Sequence, residues 1–225
     1  TAEITLISST AGVLRKLGFD NFTIRINDRR MLKLCAEACG FAPEEHDKVF
    51  IILDKMDKIG LDGVEKELKE AGYGDETVDK YLYLFKGMET AENGFAWLTE
   101  EIKDFLEEDV KDNLGEIITS VEAVKNADFK MVFDPTLVRG MSYYTGTIFE
   151  IAIPEFGGSC GGGGRYDKMV GKFTGNDVPA CGFSIGFERI ILLLMESGFQ
   201  IPESPKKVAY LVEKNYPADK LVEVM

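Results

Sequence analysis

A change of hydrophobic periodicity constrains this chain more than any other feature. Residues 43–125 read as one helix after another, while the segments on either side alternate as strands do. Before the change, residues 2–17 read as a helix that Gly18 stops, and 22–26 as a strand. Asn27-Asp28 then caps a helix over 29–39, which Gly40 ends. Within the helical stretch the spacing predicts helices over 43–59, 62–71, 75–85, 94–108 and 110–125. Beyond it, 129–133 is strand-like, 143–153 is a long strand candidate, 157–164 is glycine-dense and 165–173 is a short helix. A strand over 180–185 and a strongly apolar helix over 186–197 follow. After Pro202 and Pro205, residues 208–212 read as a fresh strand opening another domain. Strands that do not each alternate with a helix favour a mainly antiparallel sheet. The expected class is α+β, a mainly antiparallel sheet with flanking helices plus an all-helical insertion. The alternative is a helical stretch simply continuous with the core. The segments are 1–41, 42–125, 126–203 and 204–225.

Charge follows the same division. Residues 42–125 carry 23 acidic and 10 basic side chains, which accounts for the whole net charge of −13; the rest of the chain is neutral. All seven arginines (Arg15, Arg25, Arg29, Arg30, Arg139, Arg165, Arg189) lie outside that stretch. Arginine suits a two-pronged grip on phosphate or carboxylate, so anion chemistry belongs to the outer segments. At 45% hydrophobic residues in 225 the chain supports a packed core, and no apolar run approaches the roughly 20 residues that span a bilayer. The start, Thr1-Ala2-Glu3-Ile4, has no secretory signature and no initiator Met, so a piece of a longer chain in a reduced, cytoplasmic setting is expected.

Several chemistries drop out. The cysteines Cys35, Cys39, Cys160 and Cys181 contain no C-x-x-C pair, and His46 is the only histidine, so zinc and multi-histidine metal centres are not expected. Cys35 and Cys39, four apart, read as small buried residues on one helix face. Gly182-Phe-Ser-Ile-Gly186 matches the nucleophile-elbow pattern, but no histidine follows Ser184 to serve as base. Gly161–Gly164 is not followed by Lys-Ser/Thr and is no P-loop; by itself it is equally a bulged strand or turn. Arg139, set beside Gly140 and followed by Tyr143 and Tyr144, is unusual in an apolar stretch, yet a surface arginine with edge aromatics would read alike. Arg189 stands in the first turn of a helix, where the dipole does not favour a cation. It answers either an external anion or a carboxylate such as Glu188.

In order and spacing, "LVRGMSYYTGTIFE" (137–150), "GSCGGGGRYDKMVGKF" (158–173) and "GFSIGFERI" (182–190) resemble three signature blocks of the histidyl-tRNA synthetases, the last being motif 3 of class II. "FTIRINDRRML" (22–32) resembles the strand-helix after motif 2, and "ILDKMDKIGLDGVEKEL" (52–68) the helical insertion of eukaryotic-type members. The resemblance implies ATP-dependent activation of L-histidine to histidyl-adenylate and transfer to tRNA-His, with magnesium entering only with ATP and no tightly bound prosthetic group. It assigns Arg139 to the histidine carboxylate and α-phosphate, and Arg189, with Gly186, to ATP. Tyr143 and Tyr144 would shape an imidazole pocket floored by Gly162, Gly163 and Gly164. Glu150 is a possible metal or ATP contact, although a strand-end glutamate is more often solvated. The resemblance also implies a catalytic-domain piece in 1–41 and 126–203, a truncated anticodon-binding domain after 204, and a homodimer for the intact enzyme. Ser142 stands where the family usually has Asp. Motif 1 and the motif 2 arginine have no match here. Rival readings are a histidine-sensing regulatory paralogue of ATP phosphoribosyltransferase, a synthetase-like sensor fused to a kinase, and an unrelated α+β domain.

With only about half of that active site in 1–225, the chain alone is expected to catalyse no histidine-dependent pyrophosphate exchange. Exchange at the rate of a full-length enzyme would overturn this.

Overall fold

The structure, a computed structural model, describes residues 2–125, 129–140 and 143–200, and beyond them only 211, 214, 215, 217, 219, 220 and 222. In strand β1 (Phe22–Asp28) the side chains sort by alternation: Phe22, Ile24 and Ile26 are buried, while Thr23 and Arg25 are half-buried on the opposite face. Asp28 ends the strand and caps α2 (Arg29–Cys39), its carboxylate accepting from the Arg30 backbone N–H at 2.8 Å. Gly40 closes α2 at φ 95°, a conformation that admits glycine and strains other residues.

β2 (Phe129–Phe133), β3 (Thr147–Ile153), β4 (Gly158–Arg165) and β5 (Cys181–Ile185) complete a five-stranded sheet in the order β2-β1-β3-β4-β5. β1 and β2 are parallel; the other three pairings are antiparallel. The expected mainly antiparallel α+β class therefore holds. One face is covered by α1 (Ala2–Lys16) and α7 (Glu108–Val124), which meet each other and bury Ile7, Ala11 and Leu14 from α1 and Val110, Leu114, Ile117 and Val121 from α7. The opposite face carries the polar residues described below.

Between α2 and α7 lie α3 (His46–Leu53), α4 (Met56–Glu70), α5 (Asp75–Thr90) and α6 (Gly94–Glu101). The helix expected over 43–59 breaks at Asp54-Lys55, and Gly60, at φ 68°, kinks α4. The kink falls in the gap expected between 59 and 62, whereas apolar spacing runs through Asp54-Lys55, because α3 and α4 bury side chains in one core, and so does not mark that corner. The strand expected from 143 starts only at Thr147, because the amides of Tyr143 and Tyr144 both turn back to the Gly140 carbonyl. The glycine-dense run is strand β4. Arg165 continues it, paired with Cys181, so the helix expected over 165–173 shrinks to α8 (Gly171–Thr174). The apolar helix follows as α9 (Phe187–Glu196). Of the strand expected over 208–212 only Leu211 is described, and Ser142 lies outside the described residues.

The acidic helices sit against arginines of β1 and α2. Asp57 meets Arg25 at 2.9 Å, Asp47 meets Arg29 at 3.6 Å and Asp109 meets Arg30 at 2.6 Å. All three carboxylates are exposed, so each pair contributes at most about 1 kcal/mol; as a set they fix orientation. Asp28, wholly buried, also grips Arg30 at 3.0 Å. Asp28→Ala removes the cap and strands this network. It is expected to lower stability by roughly 2–4 kcal/mol in urea unfolding, with Asp28→Asn, which keeps a cap acceptor, losing less.

Candidate active site

The strand register draws one row across the exposed face: Arg25 on β1 opposite Glu150 on β3, Glu150 opposite Gly162 on β4, and Gly162 opposite Ser184 on β5. Directly opposed residues on an antiparallel pair interact, and here they are an arginine and a glutamate. Arg25 Nη1 donates to Glu150 Oε1 at 3.4 Å. The other oxygen, Oε2, accepts from Arg139 Nε at 2.8 Å. One carboxylate thus lies between two guanidinium groups, with its side chain only 12% exposed.

Arg139 reaches the row from the loop after β2. Asp134 folds that loop by accepting from the Thr136 amide (2.9 Å) and hydroxyl (2.6 Å), while buried Leu137 and Val138 pin it and the Asn27 amide group donates to the Leu137 carbonyl at 3.2 Å. The Arg139 guanidinium lies flat over Gly162: a Cβ there would come within 2.6 Å of Nη1 and 2.7 Å of Nε. Its Nη2 donates to the Ser159 hydroxyl at 2.6 Å, leaving Nη1 without a protein acceptor among the described residues. Gly140, at φ 51°, brings Tyr143 and Tyr144 back beside it, where a Cβ would meet both rings. Those rings stand 4.3 Å apart by centroid, and Tyr166 extends the cluster at 6.4 Å from Tyr144. Burial, reinforced by a hydrogen bond with Tyr143, pushes the Tyr144 phenol up.

Arg189 arrives from the other side. Gly186, whose amide donates to the Cys160 carbonyl at 2.8 Å, leads into α9. From its first turn the exposed Arg189 donates through Nη1 to the Ser159 carbonyl and lies 5.5 Å from the Phe156 ring centroid. Glu188 is not its ion-pair partner in the structure. Arg139 and Arg189 therefore converge on a single residue, Ser159.

The three glycines play different parts. Gly162 lies under Arg139, and a Cβ on Gly164 would press on Tyr144 at 3.0 Å and on the Thr147 carbonyl at 2.6 Å. Gly163 is out of phase with them. It pairs with Phe149 and Phe183, whose rings stack 5.4 Å apart, and a Cβ on it would run into the Gly182 carbonyl.

Arg25, Ser159 and Tyr166 were not singled out by the sequence, and Glu150 is not the solvated strand-end residue that its position suggested. Burial works against the Arg25 charge, but Asp134, which accepts from its Nε, and Asp57 outweigh it and raise the guanidinium above its usual range. Asp54, at the α3–α4 corner, is raised by burial and by the nearby Glu150 and Asp57 charges. An open cavity of about 540 Å³, lined by Thr23, Arg25, Asp57, Glu150, Gly158 and Ser159 among others, adjoins the row. His46, buried against the Phe41 carbonyl, and the buried Cys35 and Cys39 take no part. Among the described residues no group of three or more His, Cys, Asp or Glu is placed to hold a metal, and no helix is long and apolar enough to cross a membrane.

Sheet order, flanking helices and helical insertion match part of a class II aminoacyl-tRNA synthetase catalytic domain. The crystal structure of histidyl-tRNA synthetase from Nostoc sp. PCC 7120 superposes with a TM-score of 0.75 at 24% identity, over 98% of this chain and 54% of that one. A Bacillus halodurans C structure described as an ATP phosphoribosyltransferase regulatory subunit/histidyl-tRNA synthetase gives 0.66 at 21%, over 86% of this chain and 49% of that one. The family model for histidyl-tRNA synthetase matches residues 1–190. The histidine–tRNA ligase of Leifsonia xyli subsp. xyli is 43% identical, covering 99% of this chain and 52% of that protein. That of Korarchaeum cryptofilum is 35% identical, covering 94% and 48%. The chain belongs to the histidyl-tRNA synthetase family. It spans about half the length of the curated relatives it matches.

The glycines separate by what a methyl group would strike. Gly162→Ala meets the movable end of Arg139, so the fold should survive while the guanidinium leaves the row. Gly163→Ala meets backbone, so thermal unfolding should show the larger loss, on the order of 1–3 kcal/mol. Equal stability of the two variants would contradict this placement.

Proposed function

We propose that this chain supplies part of the active site of a histidine–tRNA ligase: ATP-dependent conversion of L-histidine to histidyl-adenylate, then transfer to tRNA-His. The meeting of Arg139 and Arg189 at Ser159, with Arg139 lying over Gly162 and the tyrosine cluster packed on the adjoining Gly140, carries this reading. In the first step a histidine carboxylate oxygen attacks the α-phosphorus of ATP and the bond to pyrophosphate breaks. The carboxylate is already ionised, so no side chain need act as nucleophile or base. What the step requires is alignment of two anions and cations around the developing phosphate charge. Arg139, held at Nε and Nη2, points Nη1 toward the carboxylate and α-phosphate. Arg189, held at Nη1 alone, has its other donors for the distal phosphates. Tyr143 and Tyr144 supply an aromatic wall with hydroxyls, suited to a ring carrying one donor and one acceptor nitrogen. Gly162 and Gly164 let the ligand approach the sheet, Gly163 keeps β4 flat against β5, and Gly186 sets the start of α9 behind the phosphates. Both Glu150 oxygens are engaged by guanidinium groups, which makes that carboxylate a poor magnesium ligand; magnesium is assigned here only as the counter-ion of ATP.

On the same reading 1–41 and 126–203 are pieces of the catalytic domain, 42–125 is its helical insertion, and 204–225 leads into an anticodon-binding domain. The whole protein would be a cytoplasmic homodimer. A histidine-sensing regulatory paralogue shares the fold, but the arginine pair favours the ligase. In the full-length protein, Arg139→Ala and Arg189→Ala should each reduce histidine-dependent pyrophosphate exchange about 10²–10³-fold. Unchanged exchange in both variants would refute the assignment, and histidine binding with no exchange in the unaltered protein would identify the sensor instead.

A further inference from the structure

We propose that Arg25 is a positioning residue for Arg139, acting through Glu150, and that Asp57 ties it to the helical insertion. The inference rests on the ligase reading above. Arg25 never reaches the ligand-facing tip of Arg139. It sits one strand further away and holds the far oxygen of the carboxylate that holds Arg139 Nε.

Three observations converge on this. First, the row is built into the register: Arg25 and Glu150 are directly opposed on β1 and β3, and Gly162 leaves the next place empty for Arg139. Second, Arg25 is restrained from three directions, by Asp134 through Nε, by Asp57 through Nη1 at 2.9 Å and by Glu150. An arginine so tethered cannot swing away and release Glu150. Third, the carboxylate between the two guanidiniums is largely shielded from water. Remove Arg25 and Glu150 keeps one partner and a half-satisfied charge, so it rotates or draws water, and the Nε anchor of Arg139 moves with it. Asp57 projects from the first turn of α4, directly after the α3–α4 corner. One tether of the row therefore belongs to the insertion, so a shift of that corner is transmitted to Arg139 without touching the ligand.

A double-mutant cycle on the full-length protein tests this, read by steady-state pyrophosphate exchange. Arg25→Ala should lower kcat about 10–100-fold, in line with the loss of other supporting partners behind a functional group, while the histidine KM changes by less than about threefold. The same substitution made in Arg139→Ala should change kcat by less than about threefold, because there is no guanidinium left to position. Arg25→Lys keeps a charge beside Asp134 but loses the fork, and should fall between wild type and Arg25→Ala; it carries the same cycle if Arg25→Ala does not fold. Asp57→Asn should give a severalfold loss that also vanishes in Arg139→Ala. An equal loss in both backgrounds would make Arg25 a merely structural residue and overturn the proposal, as would no loss from Arg25→Ala. A wild-type protein without exchange activity would instead defeat the ligase reading.

Discussion

The site depends on one carboxylate held between two guanidinium groups. Taking Glu150 out of water costs several kcal/mol, and that cost is offset only if both oxygens find charged donors in good geometry. Backbone pairing secures one of them, because Arg25 is opposite Glu150 by strand register. The loop after β2 delivers the other, and glycine at position 162 leaves room for it. Desolvation is thereby turned into orientation. Arg139 is bound at Nε and Nη2, with Nη1 lying over Gly162. Donors fixed before a ligand arrives need not reorganise when charge develops, which is where such groups gain most of their effect.

The acidic helices fit the same logic. A segment of net charge −13 beside the proposed site for anions looks self-defeating if the charges act as a cloud. The structure shows three of them acting as contacts across the boundary: Asp47, Asp57 and Asp109 each meet an arginine between positions 25 and 30. Those arginines are engaged in docking and orientation, while Arg139 and Arg189 take none of these three carboxylates. Charge segregation along the chain thus becomes charge complementarity across an internal boundary.

Much of this was legible in the sequence where the physics is local. The alternation of 22–26, the Asp28 cap, the Gly40 stop and the apolar helix after Gly186 follow from neighbouring residues. Arg139 and Arg189 were singled out by the family resemblance rather than by local physics. What escaped was set by register and by distant contacts. Nothing near Arg25 announces Glu150, 125 positions away, and nothing near Ser159 says that two arginines will meet there. A run of glycines reads as turn or bulge because glycine weakens isolated strands. In β4 the run is held by partners on both sides, and the gaps it leaves are filled by Arg139 on one face and by the Phe149–Phe183 stack near the other.

The fold alone does not choose between making an adenylate and merely sensing histidine, since structures described in both terms share it. A sensor needs the tyrosine wall and one group for the carboxylate. It has no use for a second arginine brought in from α9 to the same serine, nor for a first arginine fixed at two of its three nitrogens. Such rigidity adds little to binding that a looser side chain would not supply. It matters when the geometry must suit a transition state that differs from the bound ligand by fractions of an ångström. That the chain uses a buried glutamate, a glycine strip and a triply tethered Arg25 to hold Arg139 still is what supports the proposed ligase reading over the sensor.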